Sequence, residues 1–497
     1  MKSRVFKWLS AFMALAFVLT LMPVTAFSET KAINYPTKTV TASHVVDFTD
    51  TGVDHKTSYP YSDTYLTRSG YEYHDDLAMA SMGMQYAAAS SQDAKHAGDT
   101  KHEDKNWGAL MKQMGFQQWE SNEWMKKLPS TDSIGICIAN KKITDSKGPS
   151  TVIAVGIRGA NYRGEWGGNG RLDKTGDHKG FALCRDQILS FIKQYVGKRN
   201  ISGRIKLWIS GYSRAAAASN LVGGAADNGY DFGNGTKLSL DDLYCYCFEC
   251  PKGAVTSEVK NKKYDNIHNI VNPADIVPYA GMQDWDFCRY GIDHVIPTKE
   301  DANYKQYDAA MEKYLGTIYN DVDNKNPADK IQLNTSFKQF YDTFMTDACN
   351  AIGSRAAYVD NLQEPVIQAL YTYYAAEDYG GANAFNDHLT KALQDHASEI
   401  MLAALNPTQN AIDTAIQSVL TDMHKAGMTD MTLDQVKTLL KNLFPVVVKM
   451  AAADPNTLMT MLSNANSVSQ CHSQCVTESW LRTLPAGYLA SHTAHSA

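Results

Sequence analysis

The chain has few cysteines and no excess of basic residues. Its 47 lysines and arginines are outnumbered by 53 aspartates and glutamates among 497 residues, which gives a net charge of −6. Nucleic acids and anionic membranes favour partners with basic patches, so the composition argues against both. The nine cysteines are sparse and odd in number, which does not suit a disulfide framework.

Two groups of cysteines nevertheless lie close together in the sequence. Cys245, Cys247 and Cys250 lack the second pair of ligands that a structural metal site needs, so no metal is predicted. Cys471 and Cys475 form the best candidate for a disulfide.

Long apolar runs are confined to the N-terminus. Lys2, Arg4 and Lys7 accompany an apolar run over residues 8–22, and the small residues that end at Ala26 suit cleavage. This pattern predicts a secretory signal peptide over residues 1–26, because the run is shorter than the ~20 apolar residues of a membrane span. We therefore expect a secreted protein, extracellular or associated with the cell wall, without a stable membrane anchor.

Strand and helix patterns alternate in the middle of the chain. Five short runs are apolar on both faces, as buried parallel strands are; they cover residues 134–139, 151–157, 205–209, 243–248 and 267–271, and all but 243–248 are rich in Ile and Val. An amphipathic helix lies between the second and third runs, and an alanine-rich helix follows the third. The alternation predicts an α/β fold in which helices cover both faces of a mostly parallel sheet.

The flanking segments have different patterns. Residues 27–65 are polar and indicate an N-terminal tail, whereas residues 301–465 show helical spacing of apolar side chains. We interpret this helical region as a large lid-like insertion into a core that spans residues 66–300, with a separate helical domain as the alternative. Residues 466–497 are then a C-terminal segment that completes the core.

The strongest motif is Gly211-Tyr212-Ser213-Arg214-Ala215, which lies between a predicted strand and the alanine-rich helix. A sharp turn of this kind exposes the serine oxygen above the sheet and requires small flanking residues. The N-terminus of the following helix offers unpaired N–H groups, which favour a developing oxyanion. Ser213 is therefore the candidate nucleophile, and the N–H of Arg214 is a candidate oxyanion donor.

A serine nucleophile needs a general base and a carboxylate that orients the base. Asp275 follows the fifth predicted strand at its carboxyl end, where an α/β-hydrolase places this acid. Asp265 precedes the same strand and so lies at the wrong end. Asp284 and Asp286, in a later loop, are the alternatives.

Several stretches together resemble class 3 lipases, a family of α/β-hydrolases. The matching stretches are residues 152–160, residues 178–181, the serine turn and residues 272–278, in the order and spacing of that family. The helix around residues 76–88 and the segment 106–116 also resemble the lead-in of bacterial secreted members. The resemblance covers roughly residues 70–295 and implies an α/β-hydrolase fold.

The resemblance also implies roles for individual residues. Asp275 matches the acid of the triad, and the backbone N–H of Ala160 matches the second oxyanion donor. His178 matches a position that supports the Arg158–Ala160 turn and is not catalytic. The chain departs from the family where Tyr212 replaces a common His and Ala215 replaces a common Gly.

The general base is a choice among fourteen histidines. His472, followed by Trp480 and Leu481, resembles the final segment of long bacterial members and is the preferred base. His294 is the main alternative, although it follows Asp275 so closely that little chain is left to return over the sheet. The remaining alternatives are His268, His424, His492 and His495.

Together these residues predict a serine carboxylic-ester hydrolase that needs neither metal nor organic cofactor. By resemblance, its substrate is an acylglycerol or another hydrophobic ester, with contact to a lipid interface. Two alternatives stay open: a phospholipase or acyltransferase that uses the same triad, and a secreted binding protein that keeps the fold without catalysis.

Overall fold

The computed structural model describes residues 35–45, 54–89, 104–233, 235–281, 285–319, 325–374, 384–428 and 430–495. The predicted signal peptide, residues 1–26, lies outside the described residues. None of the helices in the described ranges is both long and apolar enough to cross a membrane.

The centre of the fold is an eight-stranded mixed sheet. Its strands, in spatial order, are β3 (Gln117–Ser121), β4 (Ile136–Asp145), β5 (Gly148–Ile157), β6 (Ile205–Tyr212), β7 (Leu243–Phe248), β8 (Ile267–Val271), β9 (Ile292–Val295) and β10 (Thr493–His495). The five strands from β5 to β9 are parallel, and antiparallel pairs flank them on both sides. The five strands predicted from sequence are β4 to β8.

Alternation along the central strands explains why both faces of the sheet are covered. In β5, Val152 and Ala154 join one apolar core while Ile153 and Val155 join the core on the opposite face. Successive side chains of a strand point to opposite faces, so a strand that is apolar at every position must have cover on both sides. The sheet and its helices form an α/β-hydrolase-like fold.

Five helices belong to this layered core. They are α1 (Asp75–Ala89), α2 (Ala109–Met114), α3 (Arg163–Asn169), α4 (Lys179–Lys198) and α5 (Arg214–Asp227). Helices α4 and α5 lie on one face of the sheet and α1 lies on the other. Helices α4 and α5 are the amphipathic helix and the alanine-rich helix expected from the sequence.

The segment expected to be an N-terminal tail contains regular structure. Strands β1 (Lys38–Val45) and β2 (Asp54–Tyr61) form a two-stranded antiparallel sheet. Val40, Ala42, Tyr59 and Tyr61 are fully buried and pack in the same core as α1. The opposite face of this small sheet is exposed and polar, with Thr39, Lys56 and Ser58 on it, which is why these two strands resemble a polar tail in the sequence.

Helices make up the described regular structure between β9 and β10, apart from a short 3-10 turn. They are α6 (Tyr304–Ile318), α7 (Phe337–Ile352), α8 (Arg355–Asn361), α9 (Gln363–Tyr373), α10 (Ala384–Asp395), α11 (Ala397–Leu405), α12 (Gln409–Lys425), α13 (Asp430–Ala453), α14 (Pro455–Gln470), α15 (Gln474–Thr483) and α16 (Tyr488–Ser491). Helices α7 to α14 form their own apolar core, which also takes in Trp166, Leu172, Ala274 and Ile276 from the loops above the sheet.

All nine cysteines lie in the described residues, are buried and form no disulfide there, so the candidate Cys471–Cys475 disulfide is not formed. Cys471 packs in the core of the helical region, whereas Cys475, on α15, packs in the core beneath the sheet. Their side chains therefore point into different cores, which is why proximity in sequence does not bring the two sulfur atoms together.

Candidate active site

Ser213 lies in the turn between β6 and α5. Its backbone has φ 57° and ψ −124°, a left-handed conformation that a residue other than glycine adopts only under constraint. A Cβ atom on Gly211 would lie 2.4 Å from the carbonyl group of Ala215, so the turn requires glycine there. The structure thus shows the strained strand-to-helix turn that the motif predicts.

The structure brings Ser213, His472 and Asp275 together. The Nε2 atom of His472 lies 2.8 Å from the hydroxyl oxygen of Ser213, and its Nδ1 atom lies 2.5 Å from a carboxylate oxygen of Asp275. Asp275 is fully buried, His472 is nearly so, and the two are 197 residues apart in the chain. A hydrogen-bonded chain therefore runs from the carboxylate to the serine.

The partners determine which nitrogen of the His472 ring carries hydrogen. An ionised carboxylate only accepts, so Nδ1–H donates to Asp275 and Nε2 keeps the lone pair that accepts from the Ser213 hydroxyl. The other oxygen of Asp275 accepts the backbone N–H of Val277 at 2.9 Å. These contacts orient the imidazole so that its Nε2 atom faces the Ser213 hydroxyl.

A second set of contacts holds the segment that carries His472. The side-chain amide of Asn272 donates to the carbonyl of Cys471 at 3.2 Å, and the hydroxyl of Tyr212 donates to the carbonyl of His472, also at 3.2 Å. The chain then enters α15, whose Trp480 is buried beneath the sheet. The segment is therefore attached to the ends of both β6 and β8.

The turn that carries Ala160 lies beside the end of β6. A Cβ atom on Gly159 would lie 3.4 Å from the carbonyl oxygen of Tyr212, next to Ser213. The guanidinium of Arg158 donates to Glu165 at 2.6 and 3.2 Å, and the other oxygen of Glu165 accepts the N–H of Asn161 at 3.0 Å. A fully buried ion pair thus fixes the turn on both sides of Ala160.

Glu165 was missed in the sequence, because no spacing rule links it to the Arg158–Ala160 turn. It lies in the first turn of α3, which packs across that turn. Breaking a buried pair by removing one partner typically costs about 3–5 kcal/mol. Removal of Glu165 would therefore leave the Arg158 charge buried and unpaired beside this turn.

Arg214 contributes differently through its backbone and its side chain. As the first residue of α5, it has one of the N–H groups that lack a partner within the helix. Its buried guanidinium turns away and donates to Asn169 at 3.1 Å and to the carbonyl of Thr131 at 3.3 Å. The side chain therefore links α5 to the neighbouring loops.

His178 contacts the end of α3 instead of the turn that it was expected to support. Its Nε2–H donates to the carbonyl of Asn169 at 3.1 Å, and its ring stacks on Phe181 at 3.8 Å. Burial lowers the pKa of His178 to about 3, so the ring is neutral. Asn169 is the last residue of α3, the helix whose first turn carries Glu165, so His178 contacts the opposite end of the helix that pairs with Arg158.

The structure places His294 away from the serine. Its Nε2 atom lies 3.0 Å from Nδ1 of His268, and its Nδ1–H donates to the carbonyl of Leu489 at 2.9 Å. Burial lowers the pKa of both rings, to about 4 for His294 and about 3 for His268. Of the alternatives, His492 bonds within α16 and His495 lies near Asp265, so neither contacts Ser213 in the described part of the chain.

The acids considered as alternatives take other positions. Asp265 lies before β8, at the opposite end of that strand from Asp275. Asp286 has a positive φ of 63° and follows a gap in the described residues that includes Asp284. Asp275 is the predicted acid that contacts a histidine beside Ser213.

A cavity of about 140 Å³ adjoins Ser213 and His472. Its walls are mostly apolar, and the helical region contributes Tyr358, Leu362, Val366, Leu370, Leu443 and Val446. Trp166, Leu172, Ile276 and Phe287 line the side nearer the sheet. The site therefore joins an oriented serine to a space suited to a hydrocarbon chain.

Hydrogen bonds attach the helical region to the loops around the cavity. The hydroxyl of Tyr341 donates to the carbonyl of Ala274 at 2.7 Å, next to Asp275, and that of Tyr358 donates to the carbonyl of Gly170 at 2.8 Å. Trp166 stacks on Tyr374 with ring centres 4.0 Å apart. Helices α7 to α9 thus form a fixed wall of the site.

No family model matches the chain, and no curated protein matches it in sequence. Among solved structures it is similar to the lipase–propeptide complex of Rhizomucor miehei, with 14% identity over 45% of this chain and 68% of that one, at a TM-score of 0.29. A lipase from Rhizopus microsporus var. chinensis gives 15% identity, coverages of 45% and 75%, and a TM-score of 0.30.

A third similar structure is a triacylglycerol lipase whose catalytic centre is formed by a serine protease triad. Its identity is 14%, with coverages of 45% and 80% and a TM-score of 0.28. At these identities and TM-scores, the similarity does not establish activity, substrate or residue roles for this chain.

Proposed function

We propose that the protein is a secreted serine carboxylic-ester hydrolase, a lipase that acts on acylglycerols or other hydrophobic esters. The observation that carries the proposal is the hydrogen-bonded chain Ser213–His472–Asp275 at distances of 2.8 and 2.5 Å, in a strained turn beside an apolar cavity. Nucleophile, base and orienting acid are the three groups that acyl transfer to water requires.

The proposed reaction passes through an acyl-enzyme. Ser213 attacks the ester carbonyl while its proton moves to Nε2 of His472, and the oxyanion accepts hydrogen bonds from the N–H groups of Ala160 and Arg214. The C–O bond to the alcohol then breaks as His472 returns the proton to the leaving oxygen. Water repeats the sequence on the acyl-enzyme and releases the carboxylic acid. One oxyanion donor is typically worth about 3 kcal/mol of the barrier.

A fluorophosphonate probe and a short-chain nitrophenyl ester test this proposal directly. We expect the folded protein to react with one equivalent of probe, and expect Ser213→Ala to abolish labelling and lower kcat/KM by roughly 10⁴–10⁶-fold. A folded wild-type protein that neither reacts with the probe nor cleaves any ester would favour the binding-protein alternative. Products formed with an added alcohol or with phospholipid vesicles separate the acyltransferase and phospholipase alternatives.

Helices α7, α8, α9 and α13 supply the acyl-chain wall in this proposal, within an insertion between acid and base. Val446 lines the cavity from α13, and Lys441 lies on the exposed side of the same helix. Val446→Trp fills the cavity, so we expect kcat/KM for a laurate ester to fall at least about tenfold relative to a butyrate ester. Lys441→Trp, the matched control, keeps the wild-type ratio. An unchanged ratio in Val446→Trp would show that acyl chains bind elsewhere.

Export is proposed from the leader pattern in residues 1–26 alone. Cleavage after Ala26 makes Phe27 the first residue of the released protein. N-terminal sequencing of protein recovered outside the cell checks this, and an intact leader on that protein would contradict it.

A further inference from the structure

A second buried carboxyl group, that of Glu249, lies beside the proposed triad and has no role in it. Glu249 directly follows β7, is fully buried and has a positive φ of 48°. One carboxyl oxygen lies 2.7 Å from the hydroxyl of Thr477 on α15, and the other accepts the backbone N–H of Asn272 at 2.9 Å. Asp275, not Glu249, contacts the ring of His472.

The hydroxyl of Thr477 connects Glu249 to the backbone of His472. Its oxygen lies 3.1 Å from the hydroxyl of Tyr212, and the Tyr212 hydroxyl lies 3.2 Å from the carbonyl oxygen of His472. Three consecutive contacts therefore link the Glu249 carboxyl to the peptide group of the proposed base.

The number of hydrogen atoms available to these three contacts determines the protonation state of Glu249. A carbonyl oxygen only accepts, so Tyr212 must donate to His472, and Thr477 must then donate to Tyr212. Each hydroxyl has one hydrogen, so neither can supply the contact between Thr477 and Glu249. When all three contacts are made, that hydrogen comes from Glu249, which is a carboxylic acid.

The charges around Glu249 agree with this count. Burial, and next the neighbouring Asp275, raise the pKa of the Glu249 carboxyl well above its usual value. The backbone N–H of Asn272 and a hydrogen donated by Thr477 oppose the shift, and Arg289 opposes it less. In the relay, however, Thr477 gives its hydrogen to Tyr212, and the Arg289 guanidinium already pairs with Asp293 at 2.5 and 2.8 Å. The other titratable groups nearby, the phenol of Tyr212 and the thiol of Cys471, also have raised pKa values and are uncharged at neutral pH.

We propose that Glu249 is a neutral carboxylic acid that heads a hydrogen-bond relay through Thr477 and Tyr212 and thereby positions the backbone of His472. It is a positioning residue, and its kinetic effect rests on the proposed function. Ionisation would reverse the relay, because Thr477 would then donate to Glu249 and Tyr212 to Thr477. The carbonyl of His472 would lose its donor, and a second negative charge would face Asp275.

The protonation state can be measured without turnover. We expect the infrared difference spectrum of wild type minus Glu249→Gln at neutral pH to contain the carbonyl band of a protonated carboxylic acid. A carboxylate band in its place overturns the proposal. In proton NMR spectra, Thr477→Val and Tyr212→Phe are expected to shift the low-field signal of the Nδ1–H of His472. An unmoved signal in both folded variants also contradicts the proposal.

Kinetics distinguish a positioning role from general stabilisation. Thr477→Val, Tyr212→Phe and Glu249→Leu are expected to lower kcat by about 10–100-fold with KM little changed, because none of the three residues lines the cavity. Glu249→Gln is the conservative rescue, since its amide donates to Thr477 and accepts from Asn272, and it should recover most of the kcat lost in Glu249→Leu. If Glu249 were ionised, Gln would fail to rescue and would move the acid limb of the pH profile to lower pH.

The pH dependence of the protein's stability should also reveal the proton on Glu249. The pKa of Glu249 is raised in the folded state. The folded protein therefore keeps this proton at pH values above the usual glutamate pKa of 4.5, where the unfolded chain loses it. Stability from this group is thus present at low pH and lost as pH rises. Glu249→Gln should raise Tm relative to wild type at pH 8, with a gain that shrinks toward pH 4; a gain independent of pH contradicts the protonation.

Discussion

Replacement of His472 by alanine is expected to lower kcat/KM for ester hydrolysis by roughly 10⁴–10⁶-fold. The reason is geometric, since the imidazole Nε2 is the acceptor 2.8 Å from the Ser213 hydroxyl and Nδ1 is held by Asp275. The variant leaves a small space beside the serine, so added imidazole should restore part of the activity. Steady-state rates on a butyrate ester and the rate of fluorophosphonate labelling measure both effects.

His294→Asn is the matched control for this variant. His294 is also a buried imidazole downstream of Asp275, but its contacts are with His268 and Leu489. We expect a lower Tm, because the buried contacts with His268 and Leu489 are disturbed, and a kcat within about threefold of wild type for the folded fraction. The opposite pattern, with activity lost in His294→Asn and kept in His472→Ala, would make His294 the base.

The features predicted from the sequence are those that depend on residues close together in the chain. Strands β4 to β8 appear in the sequence as short apolar runs, rich in Ile and Val except in β7, because both faces of each strand are covered. The turn at Ser213 has its signal within five residues. Asp275 could be placed because it lies four residues beyond the end of β8. None of these predictions required knowledge of distant contacts.

Contacts between segments that lie far apart in the sequence could not be predicted from local residue patterns. His472 lies 197 residues beyond Asp275, so residue patterns alone left several histidines open. Glu249 and Thr477 are 228 residues apart, and nothing in either local sequence indicates the relay. The strands β1, β9 and β10 are short or polar on one face, so their formation depends on partners that only the folded chain supplies.

Asp275→Asn is expected to lower kcat by roughly 10⁴-fold with little change in structure. The N–H of Val277 donates to one carboxylate oxygen of Asp275 at 2.9 Å, so the carbonyl oxygen of the new amide should occupy that position. The amide nitrogen then faces Nδ1 of His472 and donates to it. The imidazole is thereby forced into the tautomer with hydrogen on Nε2, which can no longer accept the proton of Ser213.

Glu249→Gln and Asp265→Asn are the controls for Asp275→Asn, because each also removes one carboxyl near the ends of β7 and β8. Asp265 lies at the far end of β8, so its variant should keep wild-type kcat. If Glu249 carried the charge that orients His472, Glu249→Gln would lower kcat by about 10⁴-fold and Asp275→Asn would leave kcat nearly unchanged. The two carboxyls lie in one buried cluster, but only Asp275 contacts the His472 ring, so we expect the large loss to follow Asp275.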